Sequence, residues 1–197
     1  MITCHTPLLT QSGKFVASYH AVGDDNCISL SINTIPSNVP IVRIHSSCLF
    51  GESFGALDCD CFHQLRGALT VIAENGHGAV IYKYQEGRGM GIENKIKAMF
   101  LQSSKNLSTA KAYDELGFPR DDRDYSVQIQ ALRDLGFTKI KLITANPRKA
   151  NTLRQHGIEV VDELHVRYEL NPTAQEYVIS KQKELCHYPV YEEFDDE

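Results

Sequence analysis

Three cysteines place the tightest constraint on this chain. Cys48 ends the stretch Arg43-Ile-His-Ser-Ser-Cys48, and ten residues later comes Cys59-Asp-Cys61. A fold that uses the three together must return residue 48 to the 59–61 pair across a short loop. Cys59 and Cys61 are two apart, so an extended strand would put both on one face; a turn would also bring both sulfurs to one ion. Three thiolates suit zinc and leave its fourth position open. Water in such a position has its pKa lowered from roughly 15.7 to about 7, whereas a structural zinc site takes four protein ligands. The count of three favours chemistry over scaffolding. Two other readings compete: three cysteines buried by chance, and a structural site completed by His45 or His63.

The 197 residues suit a single domain spanning 1–197, and 42% hydrophobic content is enough for a real core. No run of 18 apolar residues marks a membrane span, and the Met1-Ile-Thr-Cys-His start does not read as a signal peptide. Six cysteines in a chain this long, two in a Cys-x-Cys pair, fit metal ligation in a reducing cytoplasm better than a disulfide frame. Cys4, Cys27 and Cys186 read as ordinary free thiols. A net charge of −5 gives no basic face for nucleic acid. Residues 189–197, acid-rich toward the end, read as a flexible, solvated tail.

Along the chain, Phe15-Val-Ala-Ser-Tyr and Ile28-Ser-Leu-Ser-Ile alternate like strands, and Ile41-Val-Arg-Ile is a short apolar strand leading to Cys48. After Cys61 the period becomes helical: Leu65, Ala68, Leu69 and Ile72 share a face until Asn75-Gly76. Ala79-Val-Ile-Tyr is a buried strand, followed by a glycine-rich loop and a helix over about 92–102. A short helix precedes Leu116-Gly117. A further helix starts near Tyr125 and ends at Gly136, Lys139–Thr144 is a strand, Asn146-Pro147 opens a helix closed by Gly157, and Glu159-Val-Val is a strand. This alternation predicts an α/β fold: a mixed, partly parallel sheet flanked by helices, with additional β structure from the N-terminal third.

Three further motifs carry chemistry. Glu86-Gly87-Arg88 with Gly89 and Gly91 lets backbone N–H groups approach an anion and adds a guanidinium fork, although it also fits a plain turn before a helix. Arg120-Asp-Asp-Arg-Asp124 reads first as a solvated cluster with Asp124 capping the next helix. Its functional reading makes Asp121 a general base and Arg123 a phosphate-facing group. Thr144-Ala-Asn-Pro-Arg-Lys149 joins a strand end to a helix start, where open α/β sheets bind ligands, and Lys149 in the first turn suits a phosphate. The alternative there is a helix start with exposed basic residues.

These four pieces, in this order, resemble GTP cyclohydrolase II from about residue 10 to 188. The resemblance implies Cys48, Cys59 and Cys61 as ligands of one zinc ion per chain. It makes Arg43, Ile44, His45, Ser46 and Ser47 a nucleotide-binding strand, Gln64 the reader of guanine, and Glu86, Gly87 and Arg88 a substrate loop. Thr109, Thr144 and Lys149 become further GTP contacts, Asp121 a proton acceptor and Arg123 a nucleophile toward the α-phosphorus. The implied reaction displaces pyrophosphate with magnesium present, opens the purine at C8 by zinc-activated water, and releases formate. The family is usually dimeric, which makes a homodimer the expectation.

The chain departs from the family pattern in four places. Gly89-Met90 replaces Asn-Ile, Ser47 replaces a glutamate, Ala145 replaces an asparagine, and Met99 stands where the family has a tyrosine. A thioether cannot donate a hydrogen bond. Loss of the phenol either leaves the formyl group on the product or is compensated by Phe100 or another group. Two other classes of function compete: a non-catalytic protein that binds guanine nucleotide and zinc as a sensor or partner subunit, and a structural zinc module for nucleic acid. Keeping all three cysteines with Asp121, Arg123 and Lys149 argues against the first, and the acidic balance argues against the second.

Overall fold

The computed structural model describes residues 2–188; the acidic tail read over 189–197 lies outside the described residues. Seven strands form one mixed sheet in the order β1-β2-β3-β5-β4-β6-β7. β1 (Ile2–Thr10), β2 (Gly13–Val22) and β3 (Asp25–Asn33) make an antiparallel meander that joins β5 (His77–Lys83). β4 (Ile41–Ser46), β5, β6 (Lys139–Ile143) and β7 (Glu159–Leu164) run parallel. The expected class is the observed one: α/β, with the extra β structure supplied by the N-terminal third.

Helices cover both faces of the parallel part because its strands are apolar on both sides. On one face, α2 (Cys61–Asn75) lays Ala68, Leu69 and Ile72 over Ile41, Val80 and Phe15. It stops at Gly76, whose left-handed backbone (φ 69) ends the helical period. On the other face, α5 (Ser126–Asp134) and α6 (Pro147–Gln155) bring Val127, Ile129, Leu132 and Leu153 onto Val42, Ile44, Ile81 and Leu142. α6 opens with Asn146, whose side chain accepts from the Arg148 N–H, and with Pro147 at its first position.

This topology dictates where a ligand goes. β4 lies between β5 and β6; the connection from β4 to β5 puts α2 on one face, and that from β5 to β6 puts α5 on the other. The loops after β4, β5 and β6 therefore diverge and leave a crevice at the strands' carboxyl ends. Ser47 and Cys48 follow β4, Glu86–Arg88 follow β5, and Thr144 follows β6. α1 (Leu49–Ser53), α3 (Gly91–Lys105), α4 (Thr109–Glu115) and α7 (Pro172–Leu185) wall the crevice.

Three elements were not expected. β1 is exposed along nearly its whole length, so it lacks the half-buried alternation that reveals a strand. α1 has only five residues, too short for a period. α7 was legible in part: Asn171-Pro172 repeats the Asn146-Pro147 start, with the Asn171 side chain accepting from the Ala174 N–H.

Candidate active site

The crevice is a cavity of about 450 Å³. The Cys48, Cys59 and Cys61 sulfurs converge at its wall within 4.8 Å of one another, with Cys48 and Cys59 Sγ 3.8 Å apart. Zinc–sulfur bonds of about 2.3 Å in a tetrahedron give sulfur pairs about 3.8 Å apart, so the trio fits zinc. Among the described residues it is the only group of three or more His, Cys, Asp or Glu side chains gathered closely enough to hold a metal. His45 and His63, the two candidates for a fourth ligand, are turned to other partners. His45 joins Arg43 and Glu52, and the His63 ring stacks on Tyr168. A Cβ on Gly51 would meet the Cys59 sulfur at 2.5 Å, so glycine makes room for the sulfurs.

Charge and hydrogen bonds hold the thiol cradle. Cys48 is driven toward the thiolate by hydrogen bonds from the Cys59 and Cys61 thiols, and the Lys95 ammonium, 3.3 Å from its sulfur, adds to this. Lys95 is held there by Glu86 at 2.7 Å. The other Glu86 oxygen accepts from the Leu49 N–H. Glu52 ties three elements together: it takes the Cys48 N–H at 2.9 Å, His45 Nε2 at 2.9 Å and the Tyr82 hydroxyl at 2.8 Å. Arg43 Nε faces His45 Nδ1 at 3.4 Å, so the imidazole carries its proton on Nε2. Burial pushes His45 down to about 4, against the Glu52 hydrogen bond, and it stays neutral.

Cations line the same cavity. Arg43 and Lys149 are buried, and Lys149 Nζ donates to the Ile44 carbonyl at 2.8 Å. Burial, with repulsion from Arg43 and Arg123, pushes Lys149 well below the ordinary lysine range. An anion in the cavity would favour its charged form. Arg123 is gripped by Asp121 through two hydrogen bonds of 2.8 and 2.6 Å. Burial pushes the Asp121 carboxyl up, but Arg123 outweighs that and holds it below the usual range. The expectation of a solvated cluster at 120–124 fails for these two, whose side chains are only 7% and 14% exposed. It holds for Asp124, which accepts from the Ser126 N–H at the start of α5. The alternative of an exposed Lys149 fails in the same way.

The turn after β5 has Arg88 in the left-handed region (φ 58) between Gly87 and Gly89. It is pressed against the Asp121–Arg123 segment, where a Cβ on Gly89 would meet the Asp122 carbonyl oxygen at 2.7 Å. That close approach requires the glycine that replaces asparagine here.

Of the residues singled out from sequence, Arg43, His45, Ser46, Ser47, Cys48, Cys59, Cys61, Gln64, Gly87, Arg88, Met99, Thr109, Arg123, Thr144 and Lys149 all border the cavity. Ile44, Glu86 and Asp121 stand behind its wall, Ile44 as core and the two acids as supports. The buried Ser47 hydroxyl has no hydrogen-bond partner among the described residues. Thr109 Oγ1 donates to Gln102, and Thr144 Oγ1 accepts from the Asn146 N–H. Met99 faces the cavity, whereas Phe100 is 68% exposed and borders none of it. Phe100 is therefore not the group that stands in for a phenol. Gly51, Glu52, Asp60, Lys95, Tyr168 and Lys181 were missed. Of these, only Asp60 carried a positional signal, lying between two candidate ligands.

The crevice of this α/β fold thus gathers a three-sulfur cradle and buried cations around one cavity. A profile of the GTP cyclohydrolase II family matches residues 2–165, and the chain belongs to that family. It is 42% identical over 161 residues to GTP cyclohydrolase-2 of Azotobacter vinelandii, covering 81% of this chain and 77% of that protein. It is 41% identical over 187 residues to the riboflavin biosynthesis protein RibBA of Aquifex aeolicus, covering 94% of this chain. The chain spans about half the length of that relative, 46%. No helix among the described residues is long and apolar enough to cross a membrane.

Proposed function

We propose that this chain is a zinc-dependent hydrolase that opens the imidazole ring of GTP at C8 and releases pyrophosphate. The observation that carries the reading is the sulfur trio, gathered within 4.8 Å, lining the same cavity as Arg43, Arg123 and Lys149. Zinc held by Cys48, Cys59 and Cys61 would supply a Lewis-acid centre that acidifies water at its fourth position.

The protein's own part is to bind and orient. Arg43, Arg88, Arg123 and Lys149 neutralise the triphosphate, and the anion in turn favours the charged form of Lys149 that burial disfavours. Thr109, Thr144 and the unpartnered Ser47 hydroxyl complete the polar wall, and Gln64 reads the base. Asp121 keeps Arg123 extended and ionised. Burial works against that charge, but the Asp121 hydrogen bonds raise the Arg123 pKa above its ordinary value. That favours Arg123 as a fixed cation at the α-phosphate over an arginine that gives up its proton to attack. No acidic cluster for magnesium is formed by the described residues; magnesium at such sites is carried mainly by substrate phosphates.

The exposed Leu9, Val16 and Val22, on one face of β1–β2, offer a second copy apolar contacts, in keeping with a homodimer. Its free thiols suit the cytoplasm. The deciding experiment incubates the zinc-loaded protein with GTP and magnesium and weighs the products by mass spectrometry. A ring-opened ribosyl pyrimidine phosphate with pyrophosphate is expected. Unaltered GTP beside one bound zinc per chain would instead make the protein a nucleotide and zinc binder without catalysis.

A further inference from the structure

The carboxylate of Asp60, between the two paired cysteines, is wholly buried. Its Oδ1 accepts from Lys181 Nζ at 2.7 Å, and its Oδ2 accepts from Gln64 Nε2 at 2.5 Å and from the Tyr168 hydroxyl at 2.8 Å. Gln64 Oε1 in turn accepts from Arg43, whose other terminal nitrogen is tied to the Ile143 carbonyl. Lys181 comes from α7, 121 residues away, and its ammonium also sits 4.2 Å above the Tyr177 ring. α7 is docked by a further polar contact, Ser108 to Glu184, and the segment just after it by the Tyr188 N–H to the Ala145 carbonyl, each at 2.8 Å.

The relay decides how Gln64 faces a ligand. Flipping its amide would turn N–H groups toward the Arg43 guanidinium and the carbonyl oxygen toward the Asp60 carboxylate, two repulsive contacts in a buried setting. In the observed orientation one N–H and one oxygen lone pair remain for the cavity. Asp60 can hold that orientation only while its carboxylate stays in place, and Lys181 and Tyr168 are what fix it there. A buried carboxylate left without its cation is strongly disfavoured, and Lys181 is the one cation hydrogen-bonded to it among the described residues.

We propose that Lys181 is a positioning residue: through Asp60 it holds the Gln64 amide in the orientation that reads the purine, so that docking of α7 and formation of the base pocket are one event. The proposal rests on the reading of the cavity as a guanine-nucleotide site. It is tested by the dissociation constant of guanosine 5′-(α,β-methylene)triphosphate, which cannot release pyrophosphate, for the zinc-loaded dimer or monomer as purified. Wild type, Lys181→Met, Lys181→Arg, Gln64→Ala and the Gln64→Ala/Lys181→Met pair are compared. Lys181→Met is expected to weaken binding about tenfold or more, and Lys181→Arg to restore most of it. In the Gln64→Ala background Lys181→Met should add less than about twofold, because a residue acting through Gln64 has nothing left to act on.

Tyr168→Phe, which removes only a hydroxyl from the same relay, covers the case in which Lys181→Met does not fold. It should also weaken binding in the native background and not in Gln64→Ala. Effects that multiply in the Gln64→Ala background, or wild-type binding by the folded variants, overturn the proposal. A wild type that binds no guanine nucleotide overturns the functional reading along with it, and so the two failures are told apart.

Discussion

Gly51 lies so close to Cys59 that a single added methyl would come within 2.5 Å of its sulfur and 3.3 Å of the Cys48 sulfur. The helix that follows the first cysteine thus forms the floor of the sulfur cradle. Gly51→Ala should lower zinc affinity by about 10- to 100-fold, the range seen when the immediate support of a metal ligand is disturbed. Competition with a chromogenic chelator measures this; affinity equal to wild type would show that the cradle has slack that the packing does not suggest.

Glu52 is expected to be a stability residue of the same floor. Glu52→Ala leaves the Cys48 N–H, His45 Nε2 and the Tyr82 hydroxyl without their shared acceptor. Buried donors without partners cost about 1–3 kcal/mol each, with some relief from water. A loss of about 3 kcal/mol in urea unfolding is predicted, with Glu52→Gln falling between the variant and wild type.

His45 gives a pH dependence of known sign. Its folded pKa, pushed down to about 4 chiefly by burial, lies below the ordinary 6.5. Between those values the unfolded chain binds the extra proton, so stability rises with pH across that window and is lost as pH falls from about 6.5 through about 4. The full effect is about 3 kcal/mol. Unfolding free energies of wild type and His45→Gln, taken at intervals from pH 7 to pH 4, should diverge by that route. Parallel curves would mean that His45 does not stay neutral when folded.

Met99 bears on the product. It borders the cavity with a group that donates no hydrogen bond, and neighbouring Phe100 points to solvent. Loss of one transition-state donor costs about 10²–10³ in rate. Formate is therefore expected to lag far behind ring opening, leaving a formylamino pyrimidine as the early product, and Met99→Tyr should raise the formate yield per GTP. One formate per GTP from the outset in the wild type would remove this expectation.

Much of the fold was legible because its signals are local. The stripe Leu65, Ala68, Leu69, Ile72 is spaced for a helix, Asn146-Pro147 is chemically suited to start one, and Ala79–Tyr82 is too apolar and too short to be anything but a buried strand. β1 escaped because a strand exposed on both faces leaves no alternation. The cluster at 120–124 was misjudged from charge alone: Asp121 and Arg123 are buried as a pair, and a pair can go where a single charge cannot.

The amino-acid order alone singled out the three cysteines as candidate ligands and determined most of the run of strands and helices, since spacing and periodicity act over a few residues. Which cation meets which acid was decided only in three dimensions. Lys181 and Asp60 are 121 positions apart, and no local pattern links them; the sheet order and the docking of α7 bring them together. Gly51 and Glu52 belong to the same class. Their importance comes from the atoms packed around them, which exist as neighbours only after the crevice has formed.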